Sequence, residues 1–208
     1  MAIDGNLDRW AIRFPTSLVP QIIRLVLDSW NNFSTSQIHE VSITQEFFVV
    51  LERNQEFLKL PFLPDLEVIL PNKNGTEQNG RLDLRFIHGC RRKVYFSIEC
   101  KRLRVNLPSG FKSLASEYVT DGMCRYFNGQ YAHGLDKGGM LGYVMDGDIT
   151  NAIEDVRKAI EKRRRQLYMK ANDTLRCCSF TSSSQVKESF HGYGSDGYFI
   201  IYHVFLPL

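Results

Sequence analysis

No run of apolar residues in this chain approaches the roughly 18 to 20 that a bilayer span needs, and the opening MAIDGNLDRW has neither a basic n-region nor an apolar h-region. A membrane protein and an exported one are therefore not expected, and the predicted location is the cytoplasm. The five cysteines are odd in number, two are adjacent (Cys177 and Cys178), and none forms a C-x-x-C pair. Neither a disulfide framework nor a zinc knuckle follows, so reduced core thiols are expected. G-x-S-x-G, a Walker loop and a dinucleotide fingerprint are all missing, and the glycines of DKGGMLGYVMDGD fall in the wrong order to cradle phosphate. The five histidines form no catalytic or zinc constellation; His203 lies in an alternating strand, where a satisfied structural histidine is the expectation. A formal charge of +3 decides little by itself, because nucleic-acid binders concentrate charge locally.

What is present is enough apolar residue, 43% of 208, to bury a core as one domain or as one domain with an elaboration. A helix near 15–30 is followed by one from about Ile43 to Leu58, where Ile43, Phe47, Val50, Leu51 and Leu58 recur at helical spacing after the possible caps Ser42 and Thr44. LEVIL (66–70), RLDLRFIH (81–88) and KVYFSIECKRL (93–103) read as three successive strands. Beyond Pro108 and Gly110, FKSLASEYVTDGMCRYFNGQY is predicted helical and GGMLGYVMDG a strand. DITNAIEDVRKAIEKRRRQLYMK is a long amphipathic helix capped by Asp148, and GYFIIYHVFLPL is a final strand. The core is thus expected over about 40–145, with 146–208 as a C-terminal helix and strand extension.

The chemistry lies between 81 and 103. Val94, Phe96, Ile98 and Cys100 alternate with Tyr95, Ser97, Glu99 and Lys101, and Leu82, Leu84 and Phe86 alternate with Arg81, Asp83 and Arg85. If the apolar faces coincide, antiparallel pairing sets Leu84 opposite Ile98 and Phe86 opposite Phe96, with paired numbers summing to 182. An odd number of residues, three or five, must then close the turn. Asp83 falls opposite Glu99. Two carboxylates roughly 5 Å apart at Cβ repel, which a divalent cation with hard oxygen ligands would offset. Lys101, two residues along the same face, is placed to orient a water or to stabilise charge developing at phosphorus. A plain amphipathic hairpin whose Arg81, Arg85 and Lys101 pair with Asp83 and Glu99 is the competing reading.

The acid on one strand, the E-x-K of Glu99, Cys100 and Lys101 on the next, and the helix and strand that precede them resemble the PD-(D/E)xK nuclease superfamily, the restriction-endonuclease-like fold. Leu82 stands where the name-giving proline would be; a literal Pro64-Asp65 precedes the first predicted strand and reads as a turn. The resemblance implies an α/β fold with an αβββαβ core and a mixed central sheet flanked by helices. It further implies a Mg²⁺ (or Mn²⁺)-dependent deoxyribonuclease, expected to be endonucleolytic, with Asp83 and Glu99 as metal ligands, Lys101 as catalytic lysine, and Glu40 or Glu46 as an added helix acid. Restriction or antiviral defence is the setting implied, with DNA as substrate and room for a homodimer or a partner protein in a defence complex. A catalytically inactive DNA-binding or assembly subunit and an RNA nuclease are the alternatives.

Basic segments supply candidate phosphate contacts: Arg91, Arg92 and Lys93 at the hairpin tip, Arg102 and Arg104 beyond the motif strand, and the EKRRRQ run of the long helix, whose apolar stripe also fits a merely solvated charged face. Glu117, Tyr118, Asp121 and Arg125 support the site, touch phosphate or simply form surface, and Tyr118, Tyr126 and Tyr131 either stack on bases or, as helical spacing favours, fill the core.

Overall fold

A computed structural model describes residues 14–54, 56, 59–71, 78–89, 94–128, 135–192 and 197–208, with the backbone alone for 69–71 and 78–80. Among these residues the elements run α1 (Val19–Trp30), α2 (Glu40–Arg53), β1 (Phe62–Pro71), β2 (Gln78–His88), β3 (Tyr95–Leu103), β4 (Val105–Leu107), β5 (Gly110–Lys112), α3 (Ala115–Thr120), β6 (Lys137–Val144), α4 (Ile149–Arg163), β7 (Arg176–Cys177), β8 (Val186–Gly192) and β9 (Tyr198–Pro207). Short 3₁₀ turns stand at Thr16–Leu18 and Met123–Tyr126. Seven strands form one mixed sheet in the order β1-β2-β3-β6-β9-β8-β7, and β4 and β5 make a separate hairpin. The β3–β6 and β6–β9 pairs are parallel and the rest antiparallel. A parallel join needs a crossover, and α3 and α4 lie in those two connections. The α/β class with a mixed, helix-flanked sheet is as the sequence predicts.

Each face of the sheet carries its own core. α1 and α2 cover one, through Val19, Ile22, Val26, Trp30, Ile43, Phe47 and Leu51 against Phe86, Phe96, Ile98 and Tyr143. α3 and α4 cover the other, through Tyr118, Val119, Val156 and Ile160 against Met140, Ile201 and Phe205. α2 is a poor helix by composition, with five β-branched residues in EVSITQEFFVVLER. Their intrinsic cost is at most ~0.7 kcal/mol each, whereas burying Ile43, Phe47 and Leu51 is worth roughly 1.5–3 kcal/mol apiece. Packing on the sheet therefore decides the conformation. Trp30 ties this layer down: its indole stacks on Tyr143 and donates to Pro207 O at 2.9 Å. α4 begins as its sequence predicts, with the Asp148 carboxylate accepting from Asn151 N at 3.0 Å.

Several boundaries differ from expectation. α2 starts at Glu40 and ends at Arg53, because Asn54 leaves the helix with ψ 117 and binds Ser29 through its side chain; Ser42 and Thr44 are inside the helix, not caps. Pro64 and Asp65 belong to β1 rather than to a turn. β1 is the edge of the sheet, where a missing N–H is tolerated, and Asp65 pairs in register with Arg85 and bonds it at 2.5 Å. The continuous helix expected after Pro108 is broken up: Gly110–Lys112 is a strand, Leu114 takes a left-handed φ of 57° before α3, and a 3₁₀ turn follows Gly122. The C-terminal region is no appendage, since β9 lies inside the sheet between β6 and β8. Of the expected core thiols Cys100 and Cys178 are buried, Cys124 is half-buried and Cys177 is exposed.

Candidate active site

The hairpin register is the one the alternation requires: Leu84 faces Ile98 and Phe86 faces Phe96. His88 N donates to Val94 O at 3.0 Å, a pair whose numbers also sum to 182. The β2–β3 ladder ends at Leu84–Ile98, while β3 continues alongside β6 to Leu103. Past that point Cys100 N has no backbone acceptor on β2, and an unpaired buried amide costs roughly 1–3 kcal/mol. Asp83 fills the place, its Oδ2 accepting from Cys100 N at 2.7 Å. The strand backbone also changes course here. Leu84 and Leu66 join the first core while Leu82 and Val68 join the second, and between Leu66 and Val68 the backbone of Glu67 has a φ of +54°.

Around that opening the charges gather. Glu99 is fully buried, and its Oε1 lies 2.8 Å from both Lys101 Nζ and an Arg125 guanidinium nitrogen. Lys101 Nζ also bonds Glu40 Oε1 at 2.9 Å and Cys100 O at 2.8 Å. The second oxygen of Glu40 accepts from Arg102 N at 3.0 Å. Glu40 reaches β3 because it lies one turn ahead of Ile43 and Thr44 on the sheet-facing stripe of α2, where the Thr44 hydroxyl bonds Glu40 O at 2.8 Å and meets Tyr143 Oη at 3.0 Å. Glu46 turns away: it is exposed, its oxygens bound to Thr35 at 2.5 Å and Gln37 at 2.9 Å. Of the two candidate helix acids only Glu40 is brought to Lys101.

The electrostatics follow from burial against charge. Burial, then the neighbouring Asp83 charge, pushes Glu99 up to about 7, although Lys101 and Arg125 pull it back. Burial likewise raises Asp83 against the downward pull of Lys101 and the Cys100 amide. Burial works against the Lys101 ammonium too, but Glu99, Glu40 and Asp83 outweigh it, so its pKa rises and it stays charged. Three carboxylates therefore confront two cations. Among the described residues no group of three or more His, Cys, Asp or Glu is gathered as a ready ligand set; Glu99 and Glu40 are drawn to Lys101 and Asp83 to the Cys100 amide instead. Their surplus of negative charge and their hard oxygen donors nevertheless suit a divalent cation, with Asp83, Glu99 and Glu40 as the residues that could hold it.

The other candidates fare unevenly. Arg102 bonds Ile38 O at 2.5 Å, and Arg104 is taken up by Asp146 at 2.9 Å and Asp155 at 2.8 Å. Arg91, Arg92, Lys93 and Tyr131 lie outside the described residues. Tyr118 and Tyr126 are core side chains, and Glu117 pairs with Lys112. His203 is buried, as its strand setting suggests, in a chain running from Tyr118 Oη through His203 and Ser189 to His191 and Leu167 O, with contacts of 3.0, 2.8, 2.7 and 2.7 Å. Of the polar groups expected after the motif, Arg125 is the one that reaches the site, on Glu99 Oε1. Comparison with family models, with curated proteins and with solved structures finds no match to this chain. Among the described residues no helix is long and apolar enough to cross a membrane.

Proposed function

We propose that this chain is a metal-dependent DNA endonuclease of the PD-(D/E)xK type, working in the cytoplasm in restriction or antiviral defence. The observation that carries the reading is the β2–β3 register, which brings Asp83 beside Glu99 and Lys101 where the two strands part. The order α2, β1, β2, β3, α3, β6 supports a restriction-endonuclease-like core around it.

Asp83 and Glu99, with Glu40 beside them, would hold Mg²⁺ or Mn²⁺, which when bound supplies a Lewis acid for a phosphoryl oxygen. Asp83 is fixed by the Cys100 amide, so its free oxygen keeps one direction. Lys101 stays protonated and is steered by Glu40 and Cys100 O, which suits it to stabilise negative charge developing on the phosphate or to orient the attacking water. Glu40, beside the ion, also positions Lys101 through its Oε1.

The test is purified protein with supercoiled, linear and single-stranded DNA and with RNA, in Mg²⁺, Mn²⁺ or EDTA. DNA cleavage that EDTA and Asp83→Ala both abolish is expected; cleavage of RNA alone would move the substrate, and full activity in folded Asp83→Ala would end the reading. A second reading, an inactive DNA-binding or assembly subunit, draws on the two cations that already occupy Glu99 Oε1. It requires that no saturable, Asp83-dependent binding of Mn²⁺ occur.

A further inference from the structure

The arginines that the sequence offers beyond the motif strand are tied down, Arg102 on Ile38 O and Arg104 on Asp146 and Asp155. The unspent positive charge lies elsewhere. A groove of about 530 Å³ opens between the segment 112–117 and α4, lined by Lys112, Ser113, Ser116, Lys158, Lys162 and Arg163. Its two carboxylates are already matched. Glu117 pairs with Lys112 at 2.8 Å, and Asp155 takes Arg104 at 2.8 Å and the Ser113 hydroxyl at 3.0 Å. Lys158 has only a loose partner in Glu154 at 3.9 Å, and Lys162 and Arg163 have no ion pair among the described residues. Lys162 and Arg163 also line an adjoining groove with Arg165, which is likewise without an ion pair among the described residues, so the basic track continues around the end of α4.

We propose that this groove binds the phosphodiester backbone of a nucleic-acid strand. A solvated helix face explains the first half of α4, where Glu154 lies 3.7 Å from Arg157 and 3.9 Å from Lys158, but not the second half, whose one acid, Glu161, lies 3.8 Å from Arg164 and leaves Lys162 and Arg163 beside a groove whose own acids are neutralised. The pull of the carbonyl end of a helix on cations accounts for Lys162 and Arg163 in the last turn, but not for Lys158 or for the serines facing them. Lys158 and Lys162 stand one turn apart, roughly 6 Å along the axis, and Ser116 lines the same groove, a set of donors that serves repeated anionic oxygens. The apolar residues of the lining are Leu114 and the buried Ala115 and Ala159, with no aromatic among them, so the groove offers no aromatic pocket to select the side chains of an acidic peptide. At its Arg163 end the track comes near enough to act on the Cys124 thiol, which adjoins Arg125 on Glu99. Only that link rests on the nuclease reading; the groove itself does not.

The test measures binding of fluorescent duplex DNA, single-stranded DNA and polyglutamate in EDTA, over a salt series, for wild type and for Lys158→Ala/Lys162→Ala/Arg163→Ala. All three side chains are exposed, and a thermal melt confirms the fold. The variant should weaken binding to all sequences alike and flatten the slope of log affinity against log salt by roughly 0.9 per lost duplex contact, or about 0.7 on single strands. An unchanged slope, or polyglutamate bound as tightly as nucleic acid, overturns the proposal. Asp83→Ala separates the two readings. If that variant still cuts DNA, the nuclease falls and the groove stands; if the triple variant keeps the wild-type slope, the groove falls and the nuclease stands.

Discussion

The guanidinium of Arg125 and the ammonium of Lys101 share a single carboxylate oxygen, Glu99 Oε1, at 2.8 Å each. The two are not equally buried: Lys101 is 12% exposed, whereas Arg125 is 33% exposed on a 3₁₀ turn. A divalent ion using Glu99 would displace Arg125 first. At pH 8, where Glu99 is largely ionised, Arg125→Ala should bind Mn²⁺ about 10-fold more tightly, the value of one charge-assisted hydrogen bond no longer competed for. Calorimetric titration reads the constant, and equal or weaker binding would place the ion on other oxygens.

Asp83 and Lys101 should separate by assay. Asp83→Ala removes an oxygen donor and leaves the Cys100 amide without its acceptor, so both tight metal binding and cleavage should disappear. Lys101→Ala removes no donor, because an ammonium is not a ligand; cleavage should fall to background while Mn²⁺ still binds saturably. Parallel loss of metal in both variants would show that Lys101 organises the acids rather than the chemistry.

Buried Glu99 and the two buried histidines give opposite pH dependences. Glu99 rises from 4.5 to about 7, so the folded state carries no penalty below pH 4.5 and loses stability as pH rises through 7. Burial holds His191 down at about 4 and His203 at about 3, so their contribution is complete above 6.5 and is lost as pH falls through those values. Between pH 4.5 and 6.5 the two trends oppose each other. Glu99→Gln removes only the first. Whatever its fixed offset from wild type, its relative stability in urea should improve on the order of 3 kcal/mol between pH 4.5 and 8, at about 1.4 kcal/mol per pKa unit. A flat difference would mean that Glu99 is ionised throughout.

The register was legible because Leu84, Phe86, Phe96 and Ile98 alternate cleanly and a one-residue slip would bury charge. The choice between Glu40 and Glu46 was not, since both border an apolar stripe, and it is settled by which acid meets Lys101 from the sheet-facing turn. β8 escaped notice for a different reason: in VKESFHG the buried positions include Lys187, Glu188, Ser189 and His191, polar residues that the neighbouring strand and α4 region satisfy. A strand whose inner residues are hydrogen-bonded rather than apolar shows no period-two hydrophobic signal. The breaks after Pro108 come from backbone states at Leu114 and Gly122 that side-chain pattern does not report.

Gly138 fixes the second core to the sheet and offers a test of the fold that is independent of any activity. A Cβ there would lie 2.4 Å from Tyr126 Cε1 and 2.8 Å from its Cζ. The ring cannot step aside cheaply, because Tyr126 Oη donates to Gly139 O at 2.8 Å, lies 3.2 Å from Ser97 O, and the ring packs on Phe199 at 5.3 Å. Gly138→Ala should therefore cost at least the ~1–3 kcal/mol of an overpacked core, with the lost Tyr126 hydrogen bonding added if the ring turns away. Tyr126→Phe in the same background should recover part of that loss if the bonded hydroxyl is what holds the ring in place. Urea unfolding of the two single variants and the double variant gives the coupling, and strictly additive losses would show that the clash at Gly138 is relieved by the strand and not by the ring.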